Sequence, residues 1–435
     1  MFQKSVKEVS LRKGMVMDKK NVLVLFGGSS PEHEVSKVSA DTVIKYLSEE
    51  KYLIIPVYIT QEGKWLLYDG TIDHIKNISW EKFGTPAVLS PDRVNRGLLR
   101  IVGDKVKTIP VDVVFPVLHG ENGEDGTIQG LCALAGIPCV GCGVLASAVA
   151  MDKAFMKIIA GYVGLPQAKY LLVHRNEFGW SGHDSGNGPE SEVSLDRKKD
   201  SGESSDESFD ESSNESSGES SGEKSGKDSA ERSDERSEKK PEKKTDNMKE
   251  IAKKIRYQIG YPCFIKPATG GSSIGITKAT SKKEVVEALK IAAAFSEKII
   301  IEREIKGREI ECGLLGEWPD IKVSVPGEVI PAAEFYDYEA KYHNSESETI
   351  VPAHIEPEIV DTIQQMAADI FKAVDGSGLA RVDFFLMDDG KVIFNEINTV
   401  PGFTGISMFA MVWEASGVPL TELLDIIIEV ACKNG

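Results

Sequence analysis

The sequence predicts a mixed α/β and α+β protein whose N-terminal domain is built on a parallel sheet. Three observations lead to this prediction. Buried strands alternate with helices near the N-terminus, a polar β-hairpin lies near the C-terminus, and an acidic segment interrupts the chain between them. Alternating strands and helices are typical of a parallel sheet covered by helices. The 435 residues of the chain are enough for two or three domains.

The first part of the chain contains the alternating strands and helices. Ligands of such sheets tend to bind at the carboxyl ends of the strands. The segments GGSS (27–30) and HGENG (119–123) each follow a predicted strand, so both are candidate parts of a binding site. The predicted elements are a strand at 21–28, a helix at 39–47, and strands at 53–60 and 111–120.

The acidic segment spans residues 180–246 and carries 20 acidic and 11 basic residues, a net charge of −9 out of −17 for the chain. It has almost no apolar residues, so it cannot offset the entropy cost of folding, and we expect a disordered insert. Strands are predicted on both sides, at 170–173 and 263–266, which favours a surface loop inserted into a folded lobe. A partner-binding or phosphorylated loop is the alternative.

Bulk properties exclude several classes of protein. The net charge of −17 argues against nucleic-acid binding through an overall positive field. No apolar stretch reaches about 18 residues, so no membrane span is expected. Residues 1–18 are basic and lack the apolar core of a signal peptide, which predicts a disordered extension. The six cysteines are expected to be reduced thiols of a cytosolic protein, although Cys139 and Cys142 have redox or metal spacing.

A glycine-rich segment, KPATGGSSIGITKA (266–279), follows a predicted strand. Its exposed backbone N–H groups can bind phosphate, and Lys266 adds a positive charge. A flexible hairpin loop is the alternative interpretation of this segment. The pattern therefore indicates a phosphate site only in combination with other evidence.

The hairpin at 379–402 supplies that evidence. Asp383, Glu396 and Asn398 place oxygen ligands on two adjacent strands, an arrangement that suits Mg²⁺ bridging nucleotide phosphates. Arg381 precedes Asp383 by two residues and so points to the same face. The alternative is a buried network of ion pairs.

These motifs together resemble the D-alanine–D-alanine ligase family of the ATP-grasp superfamily over residues 20–175 and 250–432. The resemblance implies a two-lobed ATP-grasp domain behind the N-terminal substrate-binding domain. The implied divisions are an extension at 1–18, the substrate domain at 19–147, a central lobe at 148–300 and a catalytic lobe at 301–435. The motifs that carry the resemblance are GGSSPEHEVS (27–36), LHGENGEDGTIQG (118–130), GCGVLASAVAMDK (141–153), KPATGGSSIG (266–275), EFYDYEAKY (334–342), RVDFF (381–385) and NEINTVPGFT (395–404).

The resemblance also implies an activity. It implies ATP-dependent ligation of two D-alanines through an acyl phosphate, for peptidoglycan precursors, with two Mg²⁺ or Mn²⁺ ions, in a cytoplasmic homodimer without nucleic-acid or membrane partners. A D-alanine–D-serine or D-alanine–D-lactate ligase is the nearest alternative. A non-catalytic nucleotide-binding interaction protein is an alternative of another class.

The resemblance assigns roles to individual residues. In the family pattern Arg381 faces the γ-phosphate and then the oxyanion, the N–H of Gly402 is a second oxyanion donor, and a loop at 334–353 closes the site. The implied catalytic residues are Glu32, His119, Ser272, Tyr342, Arg381 and Gly402. The implied ATP-binding residues are Lys153, Lys266, Glu302, Arg303, Glu304, Ile305, Glu309, Lys341, Asn395 and Glu396. The implied substrate ligands are Glu32 and His119 for the first D-alanine and Ser407 and Met408 for the second, and the implied metal ligands are Asp383, Glu396 and Asn398.

Overall fold

The computed structural model describes residues 19–68, 83–180, 241–271, 274–331, 348–404 and 407–434. The predicted site residues Ser272, Lys341 and Tyr342 lie outside these ranges, as do the extension at 1–18 and residues 181–240 of the predicted insert. The strands are β1 Lys20–Gly27, β2 Tyr52–Ile59, β3 Trp65–Leu67, β4 Thr85–Leu89, β5 Gly97–Val102, β6 Lys105–Pro110, β7 Val113–Val117, β8 Tyr170–His174, β9 Cys263–Pro267, β10 Thr277–Ala279, β11 Lys298–Arg303, β12 Arg308–Glu317, β13 Lys322–Val323, β14 Gly327–Ile330, β15 Glu348–Ile350, β16 Ser377–Leu386 and β17 Val392–Asn398. The helices are α1 His33–Tyr46, α2 Thr127–Ala135, α3 Val144–Met151, α4 Lys153–Tyr162, α5 Pro241–Gln258, α6 Lys282–Phe295, α7 Pro357–Ala373, α8 Met408–Ala415 and α9 Leu420–Asn434.

The first sheet has the strand order β6-β5-β4-β3-β2-β1-β7. Strand β1 is parallel to both β2 and β7, which confirms the predicted parallel sheet at the centre. The strands from β3 to β6 extend it in antiparallel pairs. Residues 22–26 of β1 are fully buried, because helices cover both faces of this central strand.

The two faces of the first sheet belong to two cores. Side chains alternate along β1, so Leu23 and Leu25 pack toward α2, while Phe26 lies on the other face. On that other face the C-terminal helices α8 and α9 complete the core, and Phe409 and Ile427 lie within it. The C-terminus of the chain therefore returns to the N-terminal sheet.

The second sheet has the order β10-β9-β11-β8 and is entirely antiparallel. Helices α5 and α6 share its core, which includes Met248 and Ile255. Helix α5 begins at Pro241, so the last residues of the predicted insert are helical. Trp180, the first residue of the predicted insert, packs against the same core. These two ends of the predicted insert therefore belong to the folded lobe, because apolar packing and helix formation order them.

The third sheet has the order β15-β14-β12-β16-β17, and β13 also pairs with β12. The predicted hairpin is confirmed as the antiparallel pair β16 and β17, with a register irregularity between Asp383 and Phe384. Helix α7 covers one face, where Ile363, Ile370 and Phe371 are fully buried. The polar residues of the hairpin lie on the surface of the cleft described below.

No helix in the described part of the chain is long and apolar enough to cross a membrane.

Candidate active site

A cleft of about 1170 Å³ is formed where the three sheets approach one another. Every predicted site residue that the structure describes lies on its lining, so residues far apart in sequence are brought to one place. Their individual roles stay predictions. The lining residues among them are Glu32, His119, Lys153, Lys266, Glu302, Arg303, Glu304, Ile305, Glu309, Arg381, Asp383, Asn395, Glu396, Asn398, Gly402, Ser407 and Met408.

Strands β16 and β17 bring the acidic residues and Arg381 together. The Arg381 guanidinium donates two hydrogen bonds of 2.8 Å to the Asp383 carboxylate, and its Nε lies 2.9 Å from Glu311 Oε2. Asn398 Nδ2 donates to Asp383 Oδ2 at 3.0 Å. Burial opposes the charge on Arg381, but the Asp383 and Glu311 carboxylates outweigh it and hold the pKa of Arg381 well above its usual range. The ion-pair network of the alternative interpretation is therefore present, and it lies on the surface of the cleft, while the metal site stays a prediction.

These strands also offer a donor set for divalent cations. Asp383 and Glu396 are register partners across the hairpin, and Asn398 is opposite Arg381. Two carboxylates and a side-chain amide on adjacent strands are oxygen donors that suit a hard cation. The residues present therefore fit Mg²⁺ or Mn²⁺.

The Glu302 carboxylate lies between two lysines. Lys157 Nζ is 2.6 Å from Oε1, and Lys266 Nζ is 2.7 Å from Oε2. Burial alone would raise the pKa of Glu302, but the two ammonium groups outweigh it and lower the pKa. Burial alone would lower the pKa of Lys266, but the negative charge of Glu302 outweighs burial, so the pKa of Lys266 is raised.

Lys157 was not among the predicted site residues. It follows Lys153 by one helical turn on α4, and only 3% of it is exposed. The sequence offered one signal for this residue. Lys157 lies on the inward face of the helix, whose other buried residues are Ala154, Met156 and Ala160. Taken alone, that spacing does not identify a partner for the lysine.

Lys153 reaches the glycine-rich segment. Its Nζ donates to the carbonyl of Gly270 at 2.8 Å, and its backbone N–H donates to Ala268 at 2.8 Å. Asp152 orients this lysine by capping α4, because its carboxylate accepts from the backbone N–H groups of residues 154 and 155. Gly270 has φ +112, a conformation that favours glycine. The loop and the lysine thus form one continuous wall of the cleft.

Glu32 and His119 lie at the other end of the cleft, and both are buried. Ser39 Oγ is 3.2 Å from His119 Nε2, and Glu124 Oε1 is 3.7 Å from Nδ1. Burial lowers the pKa of His119, but the carboxylates of Glu124 and Glu32 outweigh it, so the pKa is raised. The pKa of Glu124 is raised, mainly by burial and further by the negative charge of Glu32, although the contact with His119 opposes this shift. Glu124 lies in the motif at 118–130 and was missed because its spacing says nothing about contact with the imidazole.

Two glycines bring backbone close to these groups. A Cβ on Gly120 would lie 2.8 Å from Glu32 Oε2, and a Cβ on Gly402 would lie 3.7 Å from His119 Cε1. Ser407 donates a hydrogen bond to the carbonyl of Gly402. The segment after β17 is therefore placed beside the imidazole of His119.

The loop between β11 and β12 forms the remaining wall. Glu304 Oε1 pairs with Lys278 Nζ at 2.8 Å, and Lys278 is a second contact that the sequence did not suggest. Glu309 lies on β12 opposite Phe385. The predicted closing loop at 334–353 is described only from residue 348, where β15 begins.

Cys139 and Cys142, the two cysteines with redox or metal spacing, are not among the residues that line the described part of the cleft. All six cysteines carry free thiols. Cys142 Sγ donates to the carbonyl of Leu379 at 3.3 Å, and burial raises the pKa of this thiol to about 12. A protonated buried thiol is a poor nucleophile and a poor metal ligand.

Comparison with known proteins agrees with this geometry. A family model described as "D-ala D-ala ligase N-terminus" matches residues 21–142, and one described as "D-ala D-ala ligase C-terminus" matches residues 238–429. The D-alanine--D-alanine ligase of Caldicellulosiruptor bescii is 41% identical over 419 residues and covers 96% of each chain. The D-alanine--D-alanine ligase of Acetivibrio thermocellus is 42% identical over 434 residues, covering 96% of this chain and 97% of that relative.

Among solved structures, the VanG D-Ala:D-Ser ligase from Enterococcus faecalis is similar with a TM-score of 0.72 and 33% sequence identity. It covers 95% of this chain, which spans all of that structure. Two family models and relatives near 40% identity over almost the whole length agree with a cleft that unites the motif residues. The chain belongs to the D-alanine–D-alanine ligase family.

Proposed function

We propose that this enzyme joins two D-alanines to D-alanyl-D-alanine at the expense of ATP, through an acyl phosphate. The observation that supports this best is the convergence of lysines, carboxylate and amide oxygens, and the buried Glu32 and His119 on one cleft. Phosphoryl transfer depends mainly on positioning and charge neutralisation. Such a reaction therefore needs cations on one wall and metal ligands on the facing wall.

ATP is proposed to bind between the second and third sheets. Glu302 would accept a hydrogen bond from the adenine amino group, the backbone of residues 303–305 would contact the base edge, and Glu309 would bind the ribose. Lys153 and Lys266, with Lys341 beyond the described residues, would contact the phosphates. Asp383, Glu396 and Asn398 would hold two Mg²⁺ or Mn²⁺ ions, which neutralise phosphate charge when bound. Asn395 lies beside this set.

The two amino acids are proposed to bind at the far end of the cleft. Glu32 would bind the ammonium group of the first D-alanine, and His119 would help to orient its carboxylate. That carboxylate attacks the γ-phosphorus of ATP, the bond to the bridging oxygen breaks, and ADP leaves. The deprotonated amine of the second D-alanine then attacks the carbonyl of the acyl phosphate, and the amide forms as inorganic phosphate leaves and the nitrogen loses a proton. Ser407 and Met408 would hold the second substrate.

Two groups are proposed to stabilise the charge that develops. Arg381 faces the cleft and would contact the transferred phosphoryl group, and the N–H of Gly402 would donate to the oxyanion. Closure of the loop at 334–353, with Tyr342 bonded to Ser272 and Glu32, would exclude water and protect the acyl phosphate. Asp383 and Glu311 hold Arg381 at this position on the cleft surface.

A D-alanine–D-serine ligase is the second candidate, because VanG is a D-Ala:D-Ser ligase with the same fold. The discriminating experiment measures phosphate release and product mass with ATP and D-alanine, alone and paired with D-serine, D-lactate or L-alanine. We expect D-alanine alone to give the fastest release and D-alanyl-D-alanine as the product. Faster turnover with D-serine or D-lactate as second substrate would transfer the assignment to that ligase. No release with any pair would favour a non-catalytic nucleotide-binding protein.

The proposed setting is a cytoplasmic homodimer that supplies peptidoglycan precursors. The free thiols and the use of ATP support this compartment. Leu134, Val144, Leu145 and Phe155 are exposed apolar residues on neighbouring helices α2 to α4, and they offer a surface for a second copy. Sedimentation velocity would test the dimer. We retain the division into a substrate domain at 19–147, a central lobe at 148–300 and a catalytic lobe at 301–435 as part of this proposal.

A further inference from the structure

Lys157 occupies an unusual position for a lysine. It belongs to the same helix as Lys153, but it does not appear among the residues that line the described part of the cleft, whereas Glu302 and Lys266 do. Its Nζ approaches Glu302 Oε1 from behind, at 2.6 Å. Gln167 Nε2 donates to its backbone carbonyl at 2.9 Å, which fixes the end of the helical turn. A buried ammonium group is retained only where it meets an opposite charge.

The cluster of Lys157, Glu302 and Lys266 has two positive charges and one negative charge. Without Lys157, Glu302 and Lys266 would form a neutral pair. With Lys157 behind the carboxylate, a net positive charge remains, and only Lys266 and Glu302 of the three reach the cleft. Lys157 therefore leaves the positive charge of Lys266 available to an anionic nucleotide.

The same contact decides what Glu302 can recognise. An ionised carboxylate only accepts hydrogen bonds, whereas a protonated one also donates. Two ammonium groups, one on each oxygen, stabilise the ionised form and fix its orientation. An acceptor at this point binds the amino group at position 6 of adenine and repels the carbonyl oxygen at position 6 of hypoxanthine.

We propose that Lys157 is a positioning residue that sets base specificity by holding Glu302 as a fixed acceptor for a 6-amino purine. Lys157 acts through Glu302 and does not touch the nucleotide. This inference rests on the proposed function, since that function assigns the base to Glu302. It goes further in naming the group that makes Glu302 selective.

The test measures dissociation constants of ATP and ITP by calorimetry, in the full-length protein with Mg²⁺ and without D-alanine. The variants are Lys157→Met, Glu302→Gln and the double variant, with Lys298→Met as a matched control. Lys298 lies on the same strand as Glu302 and pairs instead with Asp152, so it removes a lysine–carboxylate contact of the same lobe. Melting temperatures check that each variant is folded.

We expect the parent to prefer ATP and Lys157→Met to lose about tenfold of that preference, because a hydrogen bond from the adenine amino group to a fixed, ionised carboxylate is worth about that factor. Lys298→Met should keep the parental ratio. In the Glu302→Gln background, Lys157→Met should cause no further change, since its effect passes through Glu302. If Lys157→Met alone does not fold, the double variant, which also removes the carboxylate that Lys157 contacts, still makes this comparison with Glu302→Gln.

The proposal is overturned by a parent without preference for ATP over ITP. It is also overturned if the ratio of the ITP and ATP dissociation constants in Lys157→Met lies within twofold of the parental ratio. A third contrary result is that Lys157→Met lowers the preference for ATP as much in the Glu302→Gln background as in the parent. Ligation of D-alanine by the parent is measured separately. Absence of ligation together with the expected nucleotide ratios would reject the proposed function and leave the role of Lys157 supported.

Discussion

Replacing Arg381 with alanine should affect stability and catalysis by separate routes. Arg381 pairs with both Asp383 and Glu311, at 2.8 and 2.9 Å. The three side chains are only 20%, 13% and 14% exposed. Removing one partner of a buried ion pair costs about 3–5 kcal/mol, and the partial exposure of Arg381 favours the lower end. For a cooperative unit of about 150–250 residues, a loss of about 3 kcal/mol corresponds to about 6–12 °C in melting temperature.

The loss of kcat in Arg381→Ala should be larger than the loss of stability alone would cause. Loss of a group that stabilises transition-state charge typically lowers kcat by about a hundredfold or more, while ATP binding is largely retained. The two carboxylates left without Arg381 should attract a divalent cation, so Mg²⁺ should raise the melting temperature of Arg381→Ala more than that of the parent. Differential scanning fluorimetry, nucleotide binding and single-turnover phosphate release measure these three effects.

The matched control is Arg175→Ala, because Arg175 pairs with the exposed carboxylate of Glu297 at 2.9 Å. Exposed ion pairs contribute little to stability, so neither melting temperature nor kcat should change measurably. The reasoning fails if Arg381→Ala melts within about 1 °C of the parent and retains more than about a tenth of its kcat.

Three further predictions concern the metal ligands, the substrate pocket and the insert. Glu396→Gln should raise the Mg²⁺ concentration needed for half-maximal activity, because it removes one anionic ligand; an unchanged titration would place the metal elsewhere. Glu124→Gln should lower the pKa of His119, which Glu124 helps to raise. The imidazolium is then lost at lower pH, so KM for the first D-alanine should begin to rise at lower pH than in the parent; coincident pH profiles would reject the contact. Deleting residues 181–240 behind a short Gly/Ser bridge should leave a folded, active ligase, because that composition buries almost nothing. A melting temperature lower by many degrees, or a selective loss of ATP affinity, would show that the segment packs on the central lobe.

The structure changes how that deletion is designed. From composition alone the insert begins at residue 180 and ends at 246. Trp180 packs on the core of the second sheet, and α5 begins at Pro241, with Asn247 donating to the carbonyl of Glu177 at 3.2 Å. A deletion of 180–246 would remove Trp180 and the first six residues of α5, the helix that carries Asn247. Polar composition predicts that the segment does not pack in the hydrophobic core. It does not show at which charged residue a helix begins.

Local patterns in the sequence determined the elements and the chemistry of the motifs. The buried strand at 21–28, the helix at 39–47 and the hairpin at 379–402 all follow from periodicity and turn residues, which act over a few positions. The alternation of side chains along a strand also placed Arg381 and Asp383 on one face. These features are short-range, so the sequence alone was sufficient to predict them.

The tertiary structure decided which residues meet across distant parts of the chain. The pairing of Lys157 with Glu302 and of Arg381 with Glu311 joins different elements. The return of α9 to the N-terminal sheet is a packing choice of the same kind. Burial and the approach of opposite charges set both the pKa shifts and the orientation of these side chains, and both depend on the three-dimensional arrangement of the elements. The sequence therefore determined which chemical groups are present, and the packing of three sheets decided which of them act on one another.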